Sequence, residues 1–131
     1  ISSYEKYLSK RASVWEFLAF TKLDYIAGNK NLFTDFKDLL FLNQNRFGEN
    51  KIFSEAKRMY RKIISSNSFN LKNKIDLKKS HGYLKTIDFI VSSQILVDRM
   101  KFTELIGKSS SEKIRVLSEN DKLSEEVSAA Y

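Results

Sequence analysis

The chain has no cysteine and no proline, only four glycines and one histidine. Without cysteine no disulfide, iron–sulfur cluster or thiolate zinc site can form, and His81 alone cannot build a histidine-rich site, so we expect no metal site. No apolar run approaches the roughly 20 residues that span a bilayer, and the first residues lack the basic flank and apolar stretch of a secretory signal. We therefore expect a cytoplasmic location and no membrane association.

The lack of proline and the scarcity of glycine favour helix, because glycine is needed only where the backbone leaves helical geometry. The chain has 131 residues, of which 42% are hydrophobic, and this supports one compact core. We predict an all-α fold, a single antiparallel bundle of about five to six helices over residues 1–131, with a long loop before the fourth long helix. Because the chain begins without Met, one interpretation is that it is a fragment or the C-terminal part of a longer protein.

Apolar residues at helical spacing locate the individual helices. The first strong helix is predicted to begin at a capping box formed by Ser13 and Glu16 and to end at Gly28. Whether a separate short helix precedes it is left open. Its predicted buried stripe consists of apolar residues three and four apart: Val14, Trp15, Leu18, either Phe17 or Ala19, Leu23 and Ile26. The later helices are predicted over residues 31–47, 50–65, 84–106, 109–117 and 120–131, with a loop over residues 65–82.

The net charge of +7 is concentrated in one part of the chain. Between residues 51 and 85 there are ten basic residues and two acidic ones, so the rest of the chain is almost neutral. Such a window suits phosphate groups or an acidic partner protein, and it equally suits a solvated face. The cations predicted on the outer face of the third helix form a basic surface: Lys57, Arg58, Arg61 and Lys62. The window lacks interleaved aromatic residues and any nucleic-acid-binding motif, so nucleic acid is the weaker hypothesis.

Three separated segments carry a recognisable pattern. Residues 11–29 are similar to a helix with the sequence Trp-Glu-x-Gln-Ala-Leu-x-Arg-Ala-Arg-x-Val-x-Gly-Asp, and the identities are Trp15, Glu16, Ala19 and Gly28. Residues 76–90 are similar to Asp-Ile-Lys…Gly-Gly-Ile-x-Asp-Ile-Glu-Phe-Ile, and the identities are Asp76, Lys78, Gly82, Ile87, Phe89 and Ile90. Residues 113–123 are similar to a closing Asn-Val-Arg-Ile-Leu and Gln-Asn-Asp. In this order the segments resemble the glutamine synthetase adenylyltransferases and the related uridylyltransferases of nitrogen regulation.

The resemblance implies a helical domain that closes over a nucleotide and helps to receive a protein substrate. In such enzymes an upstream nucleotidyltransferase domain holds ATP and Mg²⁺ with paired carboxylates. This chain lacks a Gly-Ser followed by an Asp-x-Asp pair, so we expect no catalytic residue and no cofactor in it. The expected partners are a glutamine synthetase-like protein substrate or the upstream domain. The sequence departs from the family pattern at Leu18, Asp24 and Thr86, so a diverged protein-interaction module without a nucleotide role is an alternative.

Some candidate residues have a structural explanation beside a functional one. Trp15, at helical spacing, is interpreted as a core residue. Glu16 fits a capping box, with ligand contact as the alternative. Asp88 falls in the first turn of a helix, where a carboxylate is favourable in any case. His81 is interpreted as a loop residue.

The remaining candidates for substrate or nucleotide binding are cations and one glycine. Lys78 and Lys79 precede a helix start, where they either hold a phosphate together with the amides after Gly82 or are simply solvated. Lys22 occupies a position where the family carries arginine. The full predicted binding set is Glu16, Lys22, Lys78, Lys79, Gly82 and Asp88.

Overall fold

The structure is a computed structural model, and it describes residues 2–67 and 84–119. These residues form an all-α helical bundle, with no strand among them. The helices are α1 (Ser2–Lys10), α2 (Val14–Phe20), α3 (Lys30–Asn43), α4 (Glu49–Asn67), α5 (Leu84–Val97), α6 (Arg99–Leu105) and α7 (Ser110–Glu119), and a 3₁₀ turn (Gln44–Arg46) follows α3. The predicted fold class is confirmed. The helix predicted over residues 120–131 and most of the predicted loop at 65–82 lie outside the described residues.

The start of α2 is set by the predicted capping box. Both the amide and the hydroxyl of Ser13 donate to Glu16 Oε2, at 2.7 and 2.8 Å. Upstream, α1 is a separate helix whose end is closed by the guanidinium of Arg46, which donates to the carbonyl oxygens of Leu8 and Ala12. This resolves the boundary that the sequence left open, because the carbonyls at the end of α1 find their partner on another element.

The prediction that the first helix continues to Gly28 is wrong. Helix α2 ends at Phe20, and the carbonyl oxygen of Leu23 accepts a 2.9 Å hydrogen bond from the amide of Gly107. Because the backbone leaves helical geometry there, helical spacing no longer decides which side chains are buried. Ile26, predicted to be buried, is 92% exposed. Gly28 does adopt a positive φ of 112°, but it lies in the linker before α3.

The predicted fourth helix is also interrupted. Asp98 takes an extended conformation, and its carboxylate accepts from the amides of Met100 and Lys101 at 3.1 Å each, so it caps α6 instead of continuing α5. Two helices therefore occupy residues 84–105. The capping box predicted for the next helix is confirmed, since the amide and the hydroxyl of Ser109 both donate to Glu112 at the start of α7.

The core joins residues from all seven of the described helices. Its fully buried side chains include Phe17, Phe102 and Leu117. The prediction that Trp15 belongs to the core is wrong, because its side chain is 51% exposed. The short α2 turns Val14, Phe17 and Leu18 inward, and Trp15 projects from the flank of that stripe. The rest of the core is Leu8, Ala12, Val14, Leu18, Leu40, Ile52, Ala56, Ile87, Val91, Ile95, Leu96, Leu105, Ile106 and Ile114.

None of the described helices is long and apolar enough to cross a membrane.

Candidate functional site

A cleft opens where α2, α4 and α5 meet. Its volume is about 230 Å³ and its lining is mainly apolar. Two of the segments that carry the family resemblance, residues 11–29 and 76–90, contribute side chains to it from α2 and α5. The lining residues are Trp15, Leu18, Ala19, Lys22, Met59, Ile63, Lys85, Asp88, Phe89 and Ser92. The cleft thus brings side chains from separated segments of the sequence next to one another.

Three charged groups lie at one side of this cleft. Lys22 Nζ lies 2.9 Å from Asp88 Oδ2, and Lys85 Nζ lies 3.9 Å from the same oxygen. Lys22 and Asp88 were both predicted as site residues, and the structure brings them together as an ion pair between the turn that follows α2 and helix α5. With two lysines and one carboxylate, the group carries a net positive charge and remains in contact with water.

Trp15 lies at the edge of the same cleft and is the only tryptophan of the chain. A half-exposed indole beside an apolar cleft offers a flat surface for stacking, and tryptophan is enriched where proteins bind partners. The sequence assigned Trp15 to the core because its spacing matches the apolar stripe. Only the short length of α2 and the placement of Phe17 reveal that it faces outward.

Glu16 lies at the corner between α1 and α2 and does not line the cleft. Besides Ser13, the hydroxyl of Tyr7 donates to this carboxylate. Partial burial acts to raise the pKa of Glu16, but the hydrogen bonds from Tyr7 and Ser13 outweigh it and the pKa lies below its ordinary value. The same hydrogen bond raises the pKa of Tyr7. The geometry accounts for Glu16 as a structural residue.

The other predicted site residues are outside the described part of the chain. Lys78, Lys79 and Gly82 lie between α4 and α5 in the sequence, as does His81. The phosphate contact predicted for them stays a prediction.

The basic surface is present on α4. Lys57, Arg58, Arg61 and Lys62 are all exposed. Arg58 donates to Glu55 Oε2 through two nitrogens, at 2.7 and 3.1 Å, and this hydrogen bonding lowers the pKa of Glu55. Glu55 therefore neutralises part of the surface.

A second apolar groove lies on another side of the bundle, bounded by α1, the linker after α2, and α3. Its volume is about 700 Å³. Exposed Ile26 and Leu32 line it together with several aromatic rings. Lys30 and Lys37 lie over two of those rings, Tyr25 and Phe33. No pattern in the sequence predicts this groove, since it depends on where the linker lies against α3.

In residues 2–67 and 84–119 no three His, Asp or Glu side chains come together as a metal site. Comparisons with protein-family models, with curated proteins and with solved structures found no match to the chain.

Proposed function

We propose that this chain is the helical domain of a glutamine synthetase adenylyltransferase-like protein, in which the cleft between α2, α4 and α5 contacts the nucleotide or the protein substrate. The observation that carries the proposal is the 2.9 Å ion pair between Lys22 and Asp88. It joins the two segments with the strongest family resemblance, and it does so beside an exposed indole. The domain is not catalytic alone, and a cytoplasmic location and a role in nitrogen regulation follow from the same proposal.

The cleft suits a ligand that has a flat aromatic ring and a negatively charged group at one end. The face of Trp15 is available to a nucleotide base, while Lys22 and Lys85 are available to phosphate oxygens. At about 230 Å³ the cleft is smaller than a pocket that encloses a whole drug-sized ligand. It therefore receives one part of the nucleotide, and the remaining contacts come from an upstream catalytic domain, which would also hold ATP and Mg²⁺.

Releasing Lys22 to such a ligand costs little. The side chains of Lys22 and Asp88 are 51% and 27% exposed, so water already screens their attraction. Asp88 keeps Lys85 as a second partner when Lys22 turns away. The ion pair thus positions Lys22 beside the cleft and leaves its amino group available to a ligand.

Fluorescence of Trp15 tests the proposal, because no other tryptophan contributes a signal. On titration with ATP and Mg²⁺ we expect a saturable change in intensity, with the apparent Kd about tenfold higher in Lys22→Ala because one charge-assisted hydrogen bond is lost. Lys10→Ala removes an exposed cation from α1, which does not line the cleft, and is the matched control. No change in Trp15 emission, or an equal effect of both variants, would overturn the proposal.

The second candidate is a protein-interaction module without a nucleotide role. It is favoured by the groove along α1 and α3, where Ile26 is almost fully exposed and Leu32 is exposed as well. Binding of purified glutamine synthetase to the domain separates the two: loss of binding in Leu32→Asp with retention in Lys22→Ala supports the module. Loss of binding in Lys22→Ala with retention in Leu32→Asp supports the cleft as the contact site.

Nucleic-acid binding is the third candidate and rests on the basic surface of α4 alone. Arg58 is paired with Glu55, which leaves Lys57, Arg61 and Lys62 as the cations of this surface for phosphate contact. Such binding would weaken steeply with salt.

A further inference from the structure

A second, narrower crevice adjoins the cleft at the junction of α2, α5 and α7. Lys22, Asp88 and Ser92 line both spaces. The other polar side chains in the crevice are Thr21, Ser110 and Lys113. Its volume of about 20 Å³ is enough for one water molecule or for a single oxygen atom of a larger group.

Lys113 is the unusual member of this crevice. It is 6% exposed, and no carboxylate or other acceptor among the described residues pairs with its amino group. The side chain of Lys113 has lost most of its contact with water, and within the described part of the chain no hydrogen bond or ion pair of its amino group compensates for that loss, so its charged form is disfavoured. Burial accordingly lowers the pKa of Lys113; the charge of Asp24 opposes this shift, and the smaller effect of Lys22 acts in the same direction as burial.

The first turn of α7 faces the same crevice. Ser110 is the first residue of the helix, and Lys113 is the fourth. Side chains on a helix lean toward its N-terminus, which brings the amino group of Lys113 toward the end that carries the positive partial charge. Amide groups at such an end bind anions readily, and α7 is long enough to have a developed dipole.

We propose that this crevice is an oxyanion-binding subsite, in which one oxygen of a phosphate group is held by Lys113, with Lys22 and the first turn of α7 at its mouth. The negative charge of Asp88 does not prevent this, because Lys22 and Lys85 both lie near that carboxylate. Asp24 and Glu112 also act on Lys113, but neither lines the crevice, and Glu112 accepts from Ser109. The subsite stands independently of the nucleotide proposal, since inorganic phosphate is sufficient to occupy it.

Nuclear magnetic resonance of the side chains tests the subsite directly. In protein labelled at lysine ¹³Cε, the pH titration of Lys113 is followed without and with inorganic phosphate, at ionic strength matched with sodium chloride. We expect a lowered pKa of Lys113 without phosphate and a higher pKa with it, because the bound anion stabilises the ammonium form. An unchanged titration of Lys113 at saturating phosphate overturns the proposal.

Thermal unfolding provides a second test, which does not require the lysine resonances to be assigned. Phosphate should raise the Tm of the wild-type protein more than matched chloride does, and Lys113→Met should bind phosphate about tenfold more weakly or worse. Lys10→Met is the matched control and should respond as the wild type does. An equal phosphate response in all three proteins overturns the proposal.

Adenosine monophosphate distinguishes the source of the oxyanion. If it binds with the affinity of inorganic phosphate, the subsite takes the free anion. If it binds more tightly and also changes the emission of Trp15, the subsite takes the phosphate of a nucleotide whose base lies in the cleft. In both cases Lys113→Met must weaken binding, and failure of that variant to do so overturns the subsite while leaving the nucleotide proposal to the Lys22 experiment.

Discussion

Replacing both members of the ion pair between Lys22 and Asp88 should reveal a weak coupling. At 2.9 Å the attraction of two unit charges in bulk water is about 1.4 kcal/mol. Both side chains are partly exposed, and ordering them costs conformational entropy, so the net coupling should be about 0.5 kcal/mol. Because Lys85 is a more distant neighbour of Asp88, the single change Asp88→Asn removes two contacts, and only a double-mutant cycle isolates the pair.

The assay is urea unfolding of the wild type, Lys22→Met, Asp88→Asn and the double variant, at low and at high salt. The coupling should fall within about 0.2–1 kcal/mol at low salt and decrease at high salt, because exposed charges are screened. A coupling above about 2 kcal/mol would refute the reasoning. It would mean that Lys22 is locked to Asp88 and is not available to a ligand.

Other substitutions test the packing and the caps. Phe102→Ala should cost about 3–5 kcal/mol in urea unfolding, because its ring is fully buried, whereas Trp15→Ala should cost much less, since half of its side chain is in water; similar costs would contradict the assigned core. Asp98→Ala should lower the free energy of unfolding by about 1 kcal/mol, because the start of α6 loses its side-chain acceptor; an unchanged value would argue that α5 and α6 can run on as one helix. The pH dependence of unfolding should differ between the wild type and Glu16→Gln. The folded pKa of Glu16 is lowered, so its stabilising effect is complete above the ordinary pKa of a glutamate and is lost as the pH falls through the lowered value. If the difference in the free energy of unfolding between the wild type and Glu16→Gln does not decrease at acid pH, the hydrogen bonds from Tyr7 and Ser13 are not its cause.

Local signals in the sequence were sufficient for the all-α fold class and for two of the helix starts. The Ser13 and Ser109 capping boxes depend on residues three apart, so they form wherever the helix forms. The breaks after Phe20 and at Asp98 were missed for different physical reasons. The first is stabilised by a hydrogen bond between Leu23 and Gly107, which are far apart in the sequence, and the second needed a mid-helix aspartate to be recognised as a cap.

Only part of the candidate site could be predicted from the sequence. Lys22 and Asp88 were chosen from the family resemblance, and their proximity became visible only in three dimensions. Trp15 was assigned to the core because periodicity does not say which side of a short helix faces its neighbours. Lys113 gave no signal at all, since a lysine within an exposed-looking helix is ordinarily solvated and its burial depends on the packing of α7 against α5 and on the turn that follows α2.

Relaxation of the backbone and indole resonances by Mn²⁺–ATP, with Mn²⁺ alone as the baseline, tests the central claim most directly. If the cleft receives the nucleotide, line broadening should be centred on the indole of Trp15 and on the amides of Lys22 and Phe89. The exposed face of α4 around Lys57 and Arg61 should broaden less. Broadening centred on that basic face, or broadening no greater than with Mn²⁺ alone, would contradict the account.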